Sequence, residues 1–186
     1  MKKLVLALLL VTIITAGAFA QEPEGLGIGI VGRWGGGWGD GIGYSGLAFA
    51  LKVPSVPIYW GLNLDIGSNY FGFGVTGDHY IIYSSIVPEA GLNWFLGLGG
   101  WASFYSNSHR YYNDDYSYTG VGFGARLPVG LSWHPVSLLE IFLNIAPSLG
   151  VSFETEVRVG NNIVRRGGVS FPAGGWPLEL GIRLWI

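Results

Sequence analysis

The 186-residue sequence contains no cysteine, and charged side chains make up only 12% of it. The absence of cysteine excludes a small scaffold held together by disulfide bonds. Ten Lys and Arg against twelve Asp and Glu leave no basic surplus, so no nucleic-acid partner is indicated. A hydrophobic share of 49% excludes intrinsic disorder, which requires low hydrophobicity and high charge.

Long apolar runs are also missing after residue 20, which argues against membrane-spanning helices of about 20 apolar residues. Glycine, in contrast, is abundant. The chain has 32 glycines, more than twice the usual share of about 7%, without a collagen-like period. Together with the high apolar content, this composition indicates a protein that is not dissolved in water.

The first twenty residues have the pattern of a secretory signal peptide. Two lysines follow Met1, an apolar run covers residues 4–16, and Ala18-Phe19-Ala20 forms a small-x-small cleavage site. An N-terminal membrane helix is the weaker alternative because the apolar run is short. We therefore expect export, with residues 1–20 as the signal peptide and residues 21–186 as one mature domain.

Apolar residues alternate with small or polar residues, which is the signature of β-strands. The segments with this alternation are 26–30, 47–53, 58–66, 71–75, 92–98, 121–133, 141–151 and 178–186. In the last segment the apolar positions are Leu178, Leu180, Ile182, Leu184 and Ile186. Eight strands are thus predicted. The path of the fourth strand stays open, because Gly77–His79 fits either a bulge in a strand that reaches Tyr83 or a loop.

The connections between these segments alternate in length. Short turns at residues 54–57, 87–90 and 134–137 mark one end, and longer segments at 34–41, 68–69, 105–118 and 154–168 mark the other. Short periplasmic turns and long outer loops on an even number of strands are typical of outer-membrane barrels. The predicted fold is therefore all-β, an eight-stranded antiparallel up-and-down transmembrane β-barrel in the bacterial outer membrane.

Six charged residues share the face opposite the apolar positions, namely Lys52, Asp65, Arg126, Glu140, Glu179 and Arg183. An Arg or Lys that faces lipid near the midplane costs about 2–4 kcal/mol, so we expect these residues to point into the lumen and to pair. Arg126 and Glu179 each lie seven residues from the short-turn end of their strand, and we expect them to meet. Such a polar ring either plugs the barrel or lines a narrow polar path.

Aromatic residues cluster near the strand ends, as membrane-interface girdles do. Those near the short-turn or C-terminal ends are Trp60, Trp94, Trp133 and Trp185. Those toward the long-loop end are Trp34, Trp38, Tyr80, Tyr105, Tyr111 and Tyr112. Two prolines interrupt the pattern. Pro128 and Pro147 each remove a ladder donor, and with Leu127 expected opposite Pro147 a local bulge is predicted there.

No motif indicates catalysis, a cofactor or a resident metal. The glycine patterns at residues 27–32 and 72–77 match a dinucleotide fingerprint, but neither begins a helical pattern. The three histidines lie far apart, and no zinc-ligand spacing is present. Calcium at Asn113-Asp114-Asp115 is a weaker alternative to a solvated turn. The sequence therefore predicts a protein that is not an enzyme and has no cofactor.

With a signal peptide, alternating strands and the terminal strand 178–186, the chain resembles the small outer-membrane barrels of the outer membrane protein X and outer membrane protein W type. Segments 61–64, 73–78 and 91–100 resemble more closely an uncharacterised spirochaetal family of such barrels. The resemblance implies insertion through recognition of a final strand that usually closes with Phe or Trp, and Ile186 departs from that pattern.

The expected function is a monomeric outer-membrane barrel that anchors surface loops and contributes to the envelope. Its expected partners are outer-membrane lipid, the barrel-insertion machinery and periplasmic chaperones. A further extracellular ligand is possible at residues 105–118, because Tyr, Ser and Asn are typical of adaptable recognition surfaces. The alternative, implied by the resemblance to outer membrane protein W, is a narrow channel for small or hydrophobic solutes.

Overall fold

The computed structural model describes residues 23–38, 46–66, 70–111, 114–155, 157–159, 162–165 and 167–186. The predicted signal peptide at residues 1–20 lies outside this part of the chain. The strands are β1 (Gly27–Trp38), β2 (Gly46–Lys52), β3 (Tyr59–Ile66), β4 (Tyr70–Val87), β5 (Leu92–Tyr111), β6 (Asp114–Arg126), β7 (Val129–Val136), β8 (Leu139–Ile145), β9 (Ser148–Glu154), β10 (Val157–Val159), β11 (Asn162–Arg165) and β12 (Gly168–Trp185). No helix among the described residues is long and apolar enough to cross a membrane.

Ten of these strands form one antiparallel sheet that closes on itself. Their order is β1-β2-β3-β4-β5-β6-β9-β12-β8-β7, and the pairs β1–β12 and β5–β7 complete the ring. Strands β10 and β11 form a separate hairpin in the segment between β9 and β12. The predicted antiparallel barrel is confirmed, but its described sheet has ten strands instead of eight.

The difference in strand number arises at two prolines. The predicted strand 121–133 is divided at Pro128 into β6 and β7, and the predicted strand 141–151 is divided at Pro147 into β8 and β9. Proline has no N–H group and cannot donate to the ladder. Strands β6 and β7 both pair with β5, while β8 and β9 both pair with β12. Each divided pair therefore occupies one position around the wall.

The predicted bulge at Pro128 and Pro147 is wrong. Leu127 does face Pro147, and its N–H donates to the Pro147 carbonyl at 2.9 Å. The facing pairs on the two sides of the prolines are Arg126–Ser148 and Val129–Ile145. These two pairs have the same register, so no extra residue is inserted. The missing donors interrupt the ladder without shifting it.

The register shifts lie away from the two prolines, and one of them is in the pairing of β7 with β8 between Trp133 and Val136. In β12 the pairing with β9 shifts between Ser170 and Ala173, and in β4 the pairing with β5 shifts between Tyr80 and Ile82. Residues 77 and 78 pair regularly with β3. Gly77–His79 therefore belongs to the single strand β4 and is not a loop.

Two segments expected as loops are largely strand. Strand β1 continues to Trp38 along β12, and residues 105–111 pair with residues 114–120. The run 105–118 is rich in Tyr, Ser and Asn, and Tyr suits a half-exposed strand. The polarity of this run thus does not indicate an absence of secondary structure.

The barrel has an inside-out distribution of side chains. Among the described residues, 36 large apolar side chains are exposed, whereas only 13 hydrophobic residues are buried. The buried charged residues are Arg33, Lys52, Asp78, Arg126, Glu140, Glu179 and Arg183. The period of two along each strand produces both faces, because successive side chains point to opposite sides of the sheet.

Close contact between β6 and β9 generates a prediction. A Cβ at Gly124 would overlap the carbonyl oxygen of Leu149 and lie 2.5 Å from the Cα of Gly150. A Cβ at Gly100 on the neighbouring strand would meet nothing closer than the Gly124 carbonyl oxygen at 3.5 Å. We expect Gly124→Ala to lower the free energy of unfolding by about 1–3 kcal/mol, as overpacking does, and Gly100→Ala to change it little. Urea unfolding of the refolded barrels measures both, and equal stability of the two variants would contradict the register.

Candidate functional site in the barrel lumen

Four charged side chains from four strands meet inside the barrel, at a position we call the central layer: Arg33, Asp78, Arg126 and Glu179. Arg126 Nη2 lies 2.8 Å from Glu179 Oε2, and Arg126 Nε lies 3.0 Å from Asp78 Oδ1. Arg33 Nε lies 3.1 Å from Glu179 Oε1. The structure thus brings Arg126 and Glu179 together and adds two charged residues that sequence reasoning missed.

The two missed residues, Arg33 and Asp78, obey the same alternation of inward and outward side chains. Gly27 and Gly29 share the inward parity of Arg33, but the predicted first strand ended at residue 30, three residues too early. Asp78 lies on the inward parity of β4, in the segment whose path stayed open. Extending both strands by their period of two would have found them.

A second cluster, the lower layer, lies toward the short-turn end and is centred on Glu140. Its Oε2 accepts from Arg183 Nη1 at 2.6 Å and from Trp185 Nε1 at 3.0 Å. The Ser132 hydroxyl donates to the other oxygen, Oε1, at 2.8 Å. Both oxygens of this buried carboxylate therefore have partners, as a charge removed from water requires.

Aromatic rings fill the space around Arg183. Its guanidinium lies 4.8 Å from the ring centre of Tyr59 and 4.6 Å from that of Phe142, within cation–π distance. Tyr59 stacks on Tyr80 with ring centres 3.9 Å apart, and Tyr80 stacks on Phe95 at 4.3 Å. The short-turn half of the lumen is thus packed with aromatic side chains.

The expectation that Trp185, Tyr80 and Tyr105 belong to the interfacial girdles is wrong. These side chains are 3–6% exposed and point into the barrel. Trp185 has the parity of Arg183, whereas its neighbours Leu184 and Ile186 face outward. Strand parity, and not residue type, decides which face an aromatic residue occupies.

The other predicted girdle residues behave differently. Trp60 and Trp133 are 38% and 44% exposed on the outer face, and Trp133 Nε1 donates to the Ala90 carbonyl at 3.0 Å. Trp94 is half-buried, and Trp34 is exposed. The side chains of Trp38 and Tyr111, and all of Tyr112, lie outside the described part of the structure.

The two remaining predicted ring members are Lys52 and Asp65. Lys52 is buried, with Nζ 3.3 Å from the Val53 carbonyl oxygen and 5.5 Å from the Tyr59 ring centre. Asp65 is half-buried. The five apolar residues of the predicted insertion strand, Leu178, Leu180, Ile182, Leu184 and Ile186, are all exposed on the outer face.

The predicted recognition segment at residues 105–118 is described mainly by its backbone. The side chains of residues 107–118, including the calcium candidate Asn113-Asp114-Asp115, lie outside the described set. At the base of the hairpin, the Tyr105 hydroxyl donates to Glu154 Oε1 at 2.8 Å. Among the described residues, no three His, Asp or Glu side chains are grouped to hold a metal ion.

The lumen contains a small cavity between the two layers. Its volume is about 30 Å³, and it is lined mainly by central-layer residues, by the aromatic side chains below them and by the small residues of β2. A water molecule needs about 10–15 Å³ of such space, so the cavity has room for about two or three groups of that size.

The Ser132 and His134 pair does not form a nucleophilic site. Ser132 Oγ lies 3.4 Å from His134 Nδ1, but its proton is donated to Glu140, and Tyr83 OH lies 3.1 Å away. The exposed fraction of Ser132 is 0%. A nucleophile needs an adjacent base and access to substrate, and this hydroxyl is enclosed.

Sequence comparison gives a family. The family described as "Protein of unknown function (DUF3996)" matches residues 32–172. The chain belongs to this family. No curated protein matches the sequence.

Structure comparison gives similar barrels. A major outer membrane protein from Thermus thermophilus is 13% identical, with a TM-score of 0.51 over 87% of this chain and 98% of that one. Ail, the attachment invasion locus protein of Yersinia pestis, is 12% identical, with a TM-score of 0.40 over 88% and 99% of the two chains. Neisserial surface protein A is 11% identical, with a TM-score of 0.44 over 89% and 100%. The first of these likenesses shows the barrel fold of the DUF3996 chain.

The shared carboxylate of Glu179 generates a prediction. Glu179→Gln leaves Arg33 and Arg126 buried with Asp78 as the one remaining carboxylate of the central layer. Removing one partner from a buried ion pair costs about 3–5 kcal/mol, so we expect a loss of this size in the free energy of unfolding. Asp65→Asn, which also removes one carboxylate but at a half-buried position, is the matched control and should cost much less. Urea titration followed by Trp fluorescence measures both, and equal losses would show that the central layer is not a coupled network.

Proposed function

We propose that this DUF3996 protein is an integral β-barrel of the bacterial outer membrane that has no catalytic role and anchors hairpins at the cell surface. The observation that carries the proposal is the inside-out distribution of side chains. Soluble monomers rarely expose contiguous apolar patches larger than a few hundred Å². Here exposed apolar residues recur on the outer face of every position around the barrel.

Closure of the sheet also supports a membrane environment. In lipid every backbone polar group must be paired within the protein, which only helices and closed barrels achieve. The outward residues of β12 from Leu178 to Ile186 alternate with inward ones over nine residues, close to the ~9–11 residues that cross a bilayer at a tilt. The signal sequence predicted at residues 1–20 agrees with export.

The filled lumen favours an anchor over a channel. The central layer and the aromatic lower layer occupy successive levels of the barrel, and the cavity between them is only about 30 Å³. Eight-stranded barrels have an interior just wide enough for side chains, and the eight wall positions here fit that rule. Solute passage would require both layers to move.

The partners follow from this arrangement. Outer-membrane lipid covers the outer face, and barrel-insertion machinery and periplasmic chaperones engage the chain before it folds, with residues 178–186 as the insertion strand. Strands β5 and β6 are longer than β2 and β3, and we propose that residues 105–118 bind an extracellular ligand. The Tyr, Ser and Asn residues of this segment suit adaptable polar contacts.

Substitution of outward residues tests the membrane environment. Leu180 lies near the middle of the outward apolar face of β12, and Val169 lies eleven residues away, about 25 Å along the axis at a rise of about 3.3 Å and a tilt of about 45°. We expect Leu180→Arg to lower the stability of the barrel in lipid vesicles by about 2–4 kcal/mol and Val169→Arg to have little effect. Urea titration in vesicles measures the difference. If both substitutions are neutral and the unmodified protein is monodisperse in buffer without detergent, the proposal fails.

Conductance decides between anchor and channel. The purified mature protein, incorporated into planar bilayers, should give no stepwise current, because two layers of side chains fill the lumen. Reconstitution is verified by resistance of the barrel to added protease. The triple variant Tyr80→Ala, Arg126→Ala, Glu179→Ala removes large side chains from both layers and should conduct if it folds. Regular current steps from the unmodified protein would support the channel instead.

A further inference from the structure

Strand β4 continues past the end of its neighbour β3. The two strands pair as far as Tyr59 and Asp78, and His79 still contacts the β2–β3 turn, with Nδ1 2.9 Å from the Pro57 carbonyl oxygen. Pro57 has no N–H group to donate, so the ladder with β3 does not reach further. Residues 80–87, which we call the β4 extension, have β5 as their one strand neighbour among the described residues. The β4 extension therefore has an open edge on the side of β3.

The open edge lies at the short-turn end of the barrel. The β4 extension leads directly into the turn Pro88–Ala90, at the end where the periplasm is expected. Sheet edges do not occur in contact with hydrocarbon, because their N–H and C=O groups would have no partner there. The open edge is therefore in contact with water, and the proposed orientation of the barrel places it in the periplasm.

The composition of the β4 extension favours pairing with another strand. Its sequence, Tyr-Ile-Ile-Tyr-Ser-Ser-Ile-Val, contains no charged residue, proline or glycine. Ile81, Ile86 and Val87 are 57%, 49% and 40% exposed. Natural proteins protect their sheet edges with Lys or Pro, and segments of high β-propensity and low charge pair readily. Two register shifts against β5 twist this edge, so it suits a short partner segment.

The geometry excludes a second copy of this chain as the partner. Two copies in one membrane are related by an axis along the membrane normal, and the strands of such barrels are tilted from it by about 35–45°. Two β4 extensions related in this way would cross at about 70–90°. Neighbouring strands of a sheet differ in direction by only about 20–25°, so these edges could not form a ladder.

We propose that the β4 extension binds an extended, uncharged segment of a periplasmic polypeptide, which adds a strand beside β4. In this mode of recognition the main-chain hydrogen bonds give affinity, and contacts to alternate side chains give specificity. Ile81, Ile86 and Val87 supply the apolar contacts. The proposal rests on the missing strand neighbour and on these exposed residues, and not on Tyr83 or Ser84, which make contacts within the protein. It goes beyond the anchoring of surface hairpins.

Hydrogen exchange in the presence of a probe peptide tests the open edge. The probe is a peptide of alternating Thr and Val with blocked ends, about six residues long, added to the unmodified mature barrel in detergent. At a peptide concentration about ten times its Kd, the outward-facing amides of the β4 extension should exchange about tenfold more slowly. The same peptide with a central Pro lacks a donor and should not slow them. Unchanged exchange at about 1 mM of the Thr–Val peptide, the weak end of specific affinities, would overturn the proposal whether or not the barrel anchors hairpins or conducts.

Lysine substitutions locate the binding. A Lys on a strand edge opposes pairing, so the double variant Ile81→Lys, Ile86→Lys should lose the slowing by the Thr–Val peptide. The matched control Val136→Lys, Leu138→Lys also replaces two apolar residues at the short-turn end, 58% and 64% exposed, but at the turn between β7 and β8. It should retain the full effect. Equal slowing in the two double variants, each verified as folded by resistance to protease, would mean that the peptide does not bind at the β4 extension.

Discussion

The ion pair between Arg33 and Glu179 joins the first and last strands of the barrel. These two residues face each other in the register of β1 and β12, where twelve residue pairs close the sheet. The second oxygen of Glu179 binds Arg126, which lies on the far side of β9. A charged side chain buried in a narrow lumen is removed from water, so other charged or polar side chains must pair with it, and here these lie on other strands. The pairing of inward charges therefore holds together the strands that backbone closure brings side by side.

The narrow, filled lumen also explains much of the abundance of glycine. Large lumen side chains lie against glycines on neighbouring strands. A Cβ at Gly120 would overlap the ring of Tyr105, and one at Gly181 would overlap the ring of Phe142. These glycines directly face those aromatic residues in the register. In a barrel whose interior is only as wide as its side chains, a large residue on one strand requires a small one beside it. The 32 glycines are in part this complement to the aromatic and charged lumen.

Sequence reasoning predicted the antiparallel barrel and the meeting of Arg126 with Glu179, because a period of two divides lipid-facing from inward residues wherever it is regular. Its predictions were wrong where residue type was given more weight than strand parity. Trp185 is expected at the membrane interface because tryptophan is common there, although its parity on the strand places it in the lumen. Arg33 lies between the predicted first strand, which ends at residue 30, and the predicted loop at residues 34–41, where the glycines have low β-propensity. The ladder with β12 overrides that propensity, since every residue from Gly32 to Trp38 pairs there.

The prolines show why the bulge prediction failed and why the ion network lies where it does. Three hydrogen bonds cross adjacent strands in a row, from Gly97 N–H to Pro128, from Leu127 N–H to Pro147 and from Ala146 N–H to Pro177. Each pair keeps the donor of the non-proline residue and lacks the reciprocal one, so the register is retained with half of its hydrogen bonds. Arg126 lies next to this row on one side and Glu179 on the other, with β9 between them. Their ion pair therefore spans a part of the wall where the backbone ladder lacks donors, and it supplies through the lumen a connection that the prolines remove from the sheet.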